Sequence, residues 1–333
     1  MSEFRQKPTT KEWVIIAPER ADRPKDIAAK AAGEGREQPP EYDENCPFCP
    51  GNEHKTPDEV YREDADGGWA LRAVPNKYAA LSSTVTPERQ VQRVMVKANG
   101  YGAAEVIIES PHHNPTIATM SNAEVERIIR AYKDRYQDII SQEHINFVTI
   151  FRNYGPQAGT SLVHPHSQVI ATPVIPPHIR DPIYKAIESF DTFGNCIYCT
   201  VLEQELEVGD RVVLESDYFL VRCPFAARSP FEIRIIPKIH RASFGDISPE
   251  ESNDLADVLR KTLRKVYFGL GDPDYNYIIR SAPYGDDDAR YLHWYIVIIP
   301  KLHAPGGFEI SSGIYINPTL PEECADFLRG IDT

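Results

Sequence analysis

The chain repeats one pattern of cysteines and histidines, with its two copies about 150 residues apart. Each copy opens with a C-x-x-C pair, Cys46/Cys49 in the first and Cys196/Cys199 in the second. Self-similarity of this kind is the sequence signature of a duplicated structural unit. It restricts the fold strongly, because both halves must place the same landmarks at the same points of one architecture.

The landmarks that follow each pair come in the same order. They are a strand-like run ending in His113 or His240, an S-x-x-E helix start at Ser121 or Ser248, and a closing strand with His164 or His293. The two histidines of a half are 51 residues apart in the first half and 53 in the second. Between them, apolar residues spaced near 3.6 predict a long helix, followed by a strand at 146–151 or 275–280.

This repeat predicts an α+β fold of two tandem halves, each an antiparallel sheet with a long helix and a structural zinc site. We place the first half at 1–172, a linker at 173–192 and the second half at 193–333.

Each half holds two cysteines and two histidines that suit a closed tetrahedral zinc site. A redox dithiol is the alternative for C-x-x-C, but prolines flank the first pair and indicate a turn rather than a helix start. His113 is preferred to its neighbour His112 because His240 matches it in register. Two structural zinc ions per chain are expected, with the ligands Cys46, Cys49, His113 and His164, and Cys196, Cys199, His240 and His293.

The halves differ after the closing histidine. The first continues His164-Pro165-His166-Ser167-Gln168, whereas the second has Tyr295 and Val297 where His166 and Gln168 stand. Alternation along a strand would put His164 and His166 on one face. Because His166 has no counterpart, we interpret His164 as scaffold and His166 as the nucleophile, present in the first half alone.

A neutral imidazole, with an ordinary pKa near 6.5, is a good nucleophile toward phosphorus. The backbone amides around Gly155 and Gly159, the Ser161 hydroxyl and the Gln168 amide would donate to phosphate oxygens. Such donors stabilise the charge that shifts during phosphoryl transfer. We therefore predict His166, Gln168 and Ser161 as catalytic residues.

Composition narrows the class of partner. The net charge of -13 argues against a general nucleic-acid surface. No apolar run approaches the roughly 20 residues that span a bilayer, so no membrane partner is expected. The first residues lack the apolar core of a signal peptide, which leads us to expect a cytoplasmic protein.

The stretch 153–168, ending in HPHSQ, resembles the galactose-1-phosphate uridylyltransferase family of the histidine triad superfamily, which includes an ADP-glucose phosphorylase-like branch. Segments 13–24, 46–52 and 74–78 carry the same resemblance. It implies a ping-pong reaction in which His166 attacks the α-phosphate of UDP-glucose and releases glucose-1-phosphate. Galactose-1-phosphate then takes UMP from uridylyl-His166.

The resemblance also implies further roles. Gln168 would hold the α-phosphoryl group, the protein would be a homodimer, and the substrate-binding residues would be Arg20, Arg23, Asn76, Asn153, Gly159 and Thr160. Pro182 stands where one branch has a metal-binding carboxylate, and the Cys196 set resembles the ADP-glucose phosphorylase-like branch. Two alternatives therefore stay open: an ADP-glucose phosphorylase that uses the same histidine, and a zinc-stabilised nucleotide-binding module without turnover. Intact His166 and Gln168 argue against the silent module.

Overall fold

The computed structural model describes residues 1–20, 36, 38–65 and 67–332. Its strands, in chain order, are β1 Glu3–Gln6, β2 Trp13–Ile16, β3 Tyr61–Ala65, β4 Gly68–Pro75, β5 Arg89–Gln92, β6 Met95–Ala98, β7 Ala103–Ile108, β8 Phe147–Tyr154, β9 His166–Thr172, β10 Val212–Glu215, β11 Phe219–Arg222, β12 Ile233–Pro237, β13 Tyr275–Arg280, β14 Tyr295–Pro300 and β15 Tyr315–Asn317. Its helices are α1 Asn122–Ile140, α2 Pro177–Phe193, α3 Ile197–Val208, α4 Pro249–Leu270, α5 Gly307–Ser312 and α6 Pro321–Arg329.

One antiparallel sheet of ten strands organises the chain, in the order β10-β11-β12-β14-β13-β8-β9-β7-β4-β3. Read outward from the β8–β13 pair, β9, β7, β4 and β3 on one side correspond to β14, β12, β11 and β10 on the other. Each half thus contributes five strands in the same arrangement, which confirms the predicted duplication. The two sheets are fused rather than separate, because β8 and β13 pair with each other and neither is left as an open edge.

The predicted long helices cover the sheet and pack against each other as α1 and α4. Each begins at a capping box, Ser121 with Glu124 and Ser248 with Glu251, as the S-x-x-E signatures predict. Their apolar stripes join one core cluster with the strands. Among the described residues, no helix is both long and apolar enough to cross a membrane.

Three local expectations differ from the structure. His164 and His293 precede β9 and β14 instead of lying within them. In the first half, Pro165 has no N–H to give to a ladder, so the strand begins only at His166. The first strand after α1 runs to Tyr154 rather than ending at 151, and the segment predicted as a linker, 173–192, is mostly helix α2.

The core between the helices and the sheet is expected to carry much of the stability. Leu259 on α4 is fully buried, so Leu259→Ala should lower the free energy of unfolding by about 2–5 kcal/mol. Leu206→Ala on α3 is the matched control, since Leu206 is 38% exposed and should cost about 0.5 kcal/mol or less. Urea denaturation followed by circular dichroism measures both, and equal midpoints for the two variants would contradict this assignment of the core.

Candidate active site and metal centres

The structure brings together the four predicted metal ligands of each half. In both groups the ligand atoms all lie within 4.8 Å of one another. Cys49 Sγ is 3.5 Å from His113 Nδ1 and 3.6 Å from His164 Nδ1. Cys199 Sγ is 3.3 Å from His240 Nδ1 and 3.6 Å from His293 Nδ1. The two sites therefore repeat the same geometry, whereas His112 is exposed beside Glu41.

A backbone carbonyl orients one histidine of each group, His164 in the first and His293 in the second. His164 Nε2 lies 2.8 Å from the carbonyl oxygen of Ser110, and His293 Nε2 lies 2.9 Å from that of Pro237. A carbonyl only accepts, so each Nε2 carries the hydrogen and each Nδ1 turns its lone pair to the thiols. Burial lowers the pKa of His164 to about 3, which keeps the ring neutral. Two thiols and two neutral imidazoles arranged in this way fit a tetrahedral zinc ion.

The two C-x-x-C pairs start different local structures. Cys46 and Cys49 lie in a turn, as predicted. Cys196 instead caps the N-terminus of α3, the position that a redox dithiol would also favour. The pKa of the Cys196 thiol is lowered, chiefly by its hydrogen bond with Cys199. Because His240 and His293 converge on Cys199, the helix start serves a four-ligand group here.

His166 is buried at the first position of β9, and its tautomer is defined by its neighbour. Its Nδ1 donates to the carbonyl oxygen of His164 at 2.8 Å, which leaves the lone pair on Nε2. Burial lowers the pKa of His166, and the charge of Arg152 lowers it further. The ring is therefore neutral at neutral pH, with the lone pair of Nε2 free.

A cavity of about 530 Å³ adjoins this ring. Four other predicted residues line it with His166, namely Asn153, Thr160, Ser161 and the predicted metal ligand His164. The remaining predicted residues lie elsewhere: Gln168 is two positions along β9, Gly159 ends the short 3-10 helix Pro156–Ala158, Asn76 follows β4 and Arg20 is exposed. Arg23 falls outside the described residues.

A buried ion pair behind His166 was not predicted. Arg152 on β8 contacts Glu109, which follows β7, and both side chains are at most 2% exposed. Glu109 also accepts hydrogen bonds from Tyr132 and Ser167. Its backbone N–H donates to the carbonyl oxygen of Pro165 at 3.1 Å, tying β7 to the approach to His166. The sequence feature that could have indicated this ion pair is a charged residue within an apolar, strand-like run.

The rim of the cavity joins the two halves. Arg36 lies over the ring of Tyr154, 4.5 Å from its centroid, and forms ion pairs with Asp272 and Asp274 of the second half. These partners are more than 230 positions from Arg36 along the chain. No local pattern in the sequence marks such a contact, which is why it was missed.

The Glu109–Arg152 pair gives a test of this architecture. Glu109→Gln leaves the Arg152 charge buried and uncompensated, which should lower the free energy of unfolding by about 3–5 kcal/mol. Glu63→Gln is the control, because Glu63 pairs at 2.8 Å with Arg130, which is 48% exposed, and such a pair is worth about 1 kcal/mol or less. Chemical denaturation measures both, and equal losses would show that Arg152 does not depend on Glu109.

Comparison with known proteins places this geometry in context. The N-terminal domain model of galactose-1-phosphate uridyl transferase matches residues 1–176, and the C-terminal domain model matches residues 143–302. An ADP-glucose phosphorylase from Arabidopsis thaliana is 36% identical over 337 residues, covering 99% of this chain and 93% of that protein. A galactose-1-phosphate uridylyltransferase from Thermotoga maritima is 30% identical over 339 residues, covering 99% and 98%.

Solved structures agree with the sequence matches. The crystal structure of the Arabidopsis thaliana ADP-glucose phosphorylase with bound ADP-glucose has a TM-score of 0.84 and 35% identity, covering 100% of both chains. A uridylyltransferase structure has a TM-score of 0.75 and 26% identity, covering 99% of this chain and 97% of that one. With two domain models and full-length relatives in agreement, the chain belongs to the galactose-1-phosphate uridyl transferase family.

Proposed function

We propose that the protein transfers a nucleotidyl group from a nucleotide sugar through a covalent bond to His166. The observation that carries the proposal is the hydrogen bond from His166 Nδ1 to the His164 carbonyl oxygen. It fixes the tautomer in which Nε2 is free to attack, in a side chain that lines the cavity.

The reaction proceeds in two displacements at the α-phosphorus. Nε2 of His166 forms a P–N bond while the bond to the oxygen bridging the two phosphates breaks, and the sugar-1-phosphate leaves with that oxygen. An acceptor phosphate oxygen then forms a new P–O bond as the P–N bond breaks, which returns the neutral imidazole. Asn153, Thr160 and Ser161 line the cavity as hydrogen-bonding groups for the phosphate oxygens.

Two donor and acceptor pairs suit this chemistry. The first is UDP-glucose with galactose-1-phosphate, supported by the family models and the Thermotoga maritima relative. The second is ADP-glucose with inorganic phosphate, supported by the greater identity and TM-score of the Arabidopsis thaliana protein. The roles of Arg20, Arg23 and Asn76 and the homodimer stay predictions from family resemblance. The roles of Gln168 and Gly159 and the cytoplasmic location stay predictions from the sequence.

Intact-protein mass spectrometry tests the covalent step. The protein is incubated with UDP-glucose or ADP-glucose without an acceptor, and we expect one UMP or AMP adduct per chain. His166→Ala should form none, whereas His144→Ala, which removes an exposed histidine, should behave as the wild type. The covalent mechanism is wrong if neither donor modifies the wild type, or if His166→Ala is modified equally.

The acceptor distinguishes the two activities. A UMP adduct that disappears on adding galactose-1-phosphate, with formation of UDP-galactose, identifies the uridylyltransferase. An AMP adduct discharged by inorganic phosphate, with formation of ADP, identifies the phosphorylase.

We infer that each four-ligand group holds one structural zinc ion, because four protein ligands leave no open position for water. Elemental analysis should find near two equivalents of zinc per chain. Cys49→Ser and Cys199→Ser should each lose one equivalent and lower the melting temperature, while Cys223→Ser, a buried cysteine outside both groups, should retain two. A value near one in the wild type would remove one of the two sites.

A further inference from the structure

A second cavity, of about 630 Å³, lies beside β14 and is lined by residues of the second half, of α2 and of the turn between β1 and β2. That volume is within the range of roughly 300–1,000 Å³ typical of small-molecule sites. The strand order makes this cavity the counterpart of the catalytic one. Tyr295 begins β14 as His166 begins β9, and His293 precedes it as His164 precedes His166. The proposed function leaves this cavity without a ligand.

Two buried cations line the cavity. Arg234 is 7% exposed, its nearest carboxylate oxygen belongs to Glu232 at 3.5 Å, and its Nε has no hydrogen-bond partner among residues the structure describes. Lys7 is 6% exposed, and its Nζ lies 3.5 Å from Glu12. Burial lowers the pKa of Lys7 to about 8. Weakly compensated buried charges cost free energy, which an anion bound between them would offset.

Arg280 and Lys301 add positive charge to the same cavity. Both are half-buried. Within the described part of the chain, neither side chain has an ion-pair or hydrogen-bond partner. Their charges are therefore available to a ligand, in a chain whose net charge is -13.

The acidic side chains of the cavity compensate Lys7 and Arg234 only in part, because Glu12 and Glu232 each lie 3.5 Å from their cation and each also has Arg228 as a partner. Glu309 accepts the Gly306 N–H at 3.0 Å, and Asp181 is exposed. The unpartnered groups that face the cavity are mainly cationic.

An aromatic wall stands beside the cations. The rings of Tyr198 and Tyr295 lie 6.0 Å apart, and the Arg234 guanidinium lies 5.0 Å from the Tyr295 ring centroid. Arginine forks match phosphate oxygens, and aromatic faces suit a sugar or a base. We propose that this cavity binds a phosphate monoester, with its phosphate on Arg234, Arg280 and Lys7 and its organic part against the two tyrosines.

Binding here does not lead to transfer, because Tyr295 occupies the position of the nucleophilic histidine. The residues of this site lie outside the catalytic cavity, whereas the expected count of two bound equivalents and the labelling control rest on the proposed function.

Calorimetric titration of the full-length, metal-loaded protein tests the site, with glucose-1-phosphate, AMP and inorganic phosphate as probes. The wild type should bind two equivalents of at least one ester, one in each cavity. Arg280→Gln should weaken one of the two by at least tenfold, so that one equivalent remains at the same ligand concentration. Arg89→Gln, which removes an equally charged but exposed residue on β5, should keep both.

Further measurements distinguish loss of this ligand site from loss of the fold or of the reaction at His166. Arg280 is half-buried, so its variant should keep the wild-type melting temperature, and Arg234→Lys should also weaken the site because it retains the charge but loses the fork. The rate at which a nucleotide sugar labels His166 should not change in Arg280→Gln. The proposal is overturned if Arg280→Gln binds as many equivalents of the ester as the wild type, if phosphate binds as tightly as both esters, or if labelling falls together with binding. A single equivalent in the wild type that Arg280→Gln loses would support this site and count against ester binding in the catalytic cavity.

Discussion

The antiparallel pairing of β8 with β13 is the constraint on which the rest of the molecule depends. It converts two five-stranded sheets into one and sets Tyr154 opposite Tyr275 and Ile150 opposite Ile279. Across this seam the Asn276 side chain donates to Asn153 Oδ1 and to the Ala158 carbonyl oxygen, each at 2.8 Å. The second half thereby positions Asn153, which lines the cavity beside His166.

The two cysteine and histidine groups act at equivalent places on either side of that seam. Each ties a cysteine pair to the segment that precedes β9 or β14, and each uses the same imidazole nitrogen for the thiols and the same type of carbonyl for the other nitrogen. The second half keeps such a group although it has Tyr295 where the first half has His166. The ligand groups are therefore common to both halves, whereas His166 stands in the first half alone.

Local sequence patterns predicted the helices and strands and their order, but they did not predict the pairing of residues that are distant along the chain. The capping boxes, the apolar helical spacing and the two ligand sets are each encoded within one half, so comparing the halves was enough to find them. Two prolines carry information about element boundaries. Pro165 marks the start of β9, and Pro176-Pro177 marks the start of the helix within the segment predicted as a linker.

The fused sheet and the contacts of Arg36 could not be read from the sequence in the same way. They join residues that are distant along the chain, and their partners are chosen by the fold. The same holds for the Glu109–Arg152 pair, since Arg152 lies on β8 and Glu109 directly follows β7. For the cavity beside His166, the sequence identified Asn153, Thr160 and Ser161 in the lining but not the buried pair of Glu109 and Arg152.

His164 contacts two different groups, one through its ring and the other through its backbone carbonyl. Its ring faces the cysteines, while its carbonyl oxygen holds the hydrogen of His166 Nδ1. A tilt of the His164 ring that changes the backbone torsion of this residue also moves that oxygen. Because the oxygen accepts the Nδ1 hydrogen of His166, its position affects which tautomer of His166 is favoured. The first ligand group and the ring of His166 are thus linked through the backbone of a single residue, and the position of the His164 carbonyl oxygen decides which nitrogen of His166 keeps its lone pair.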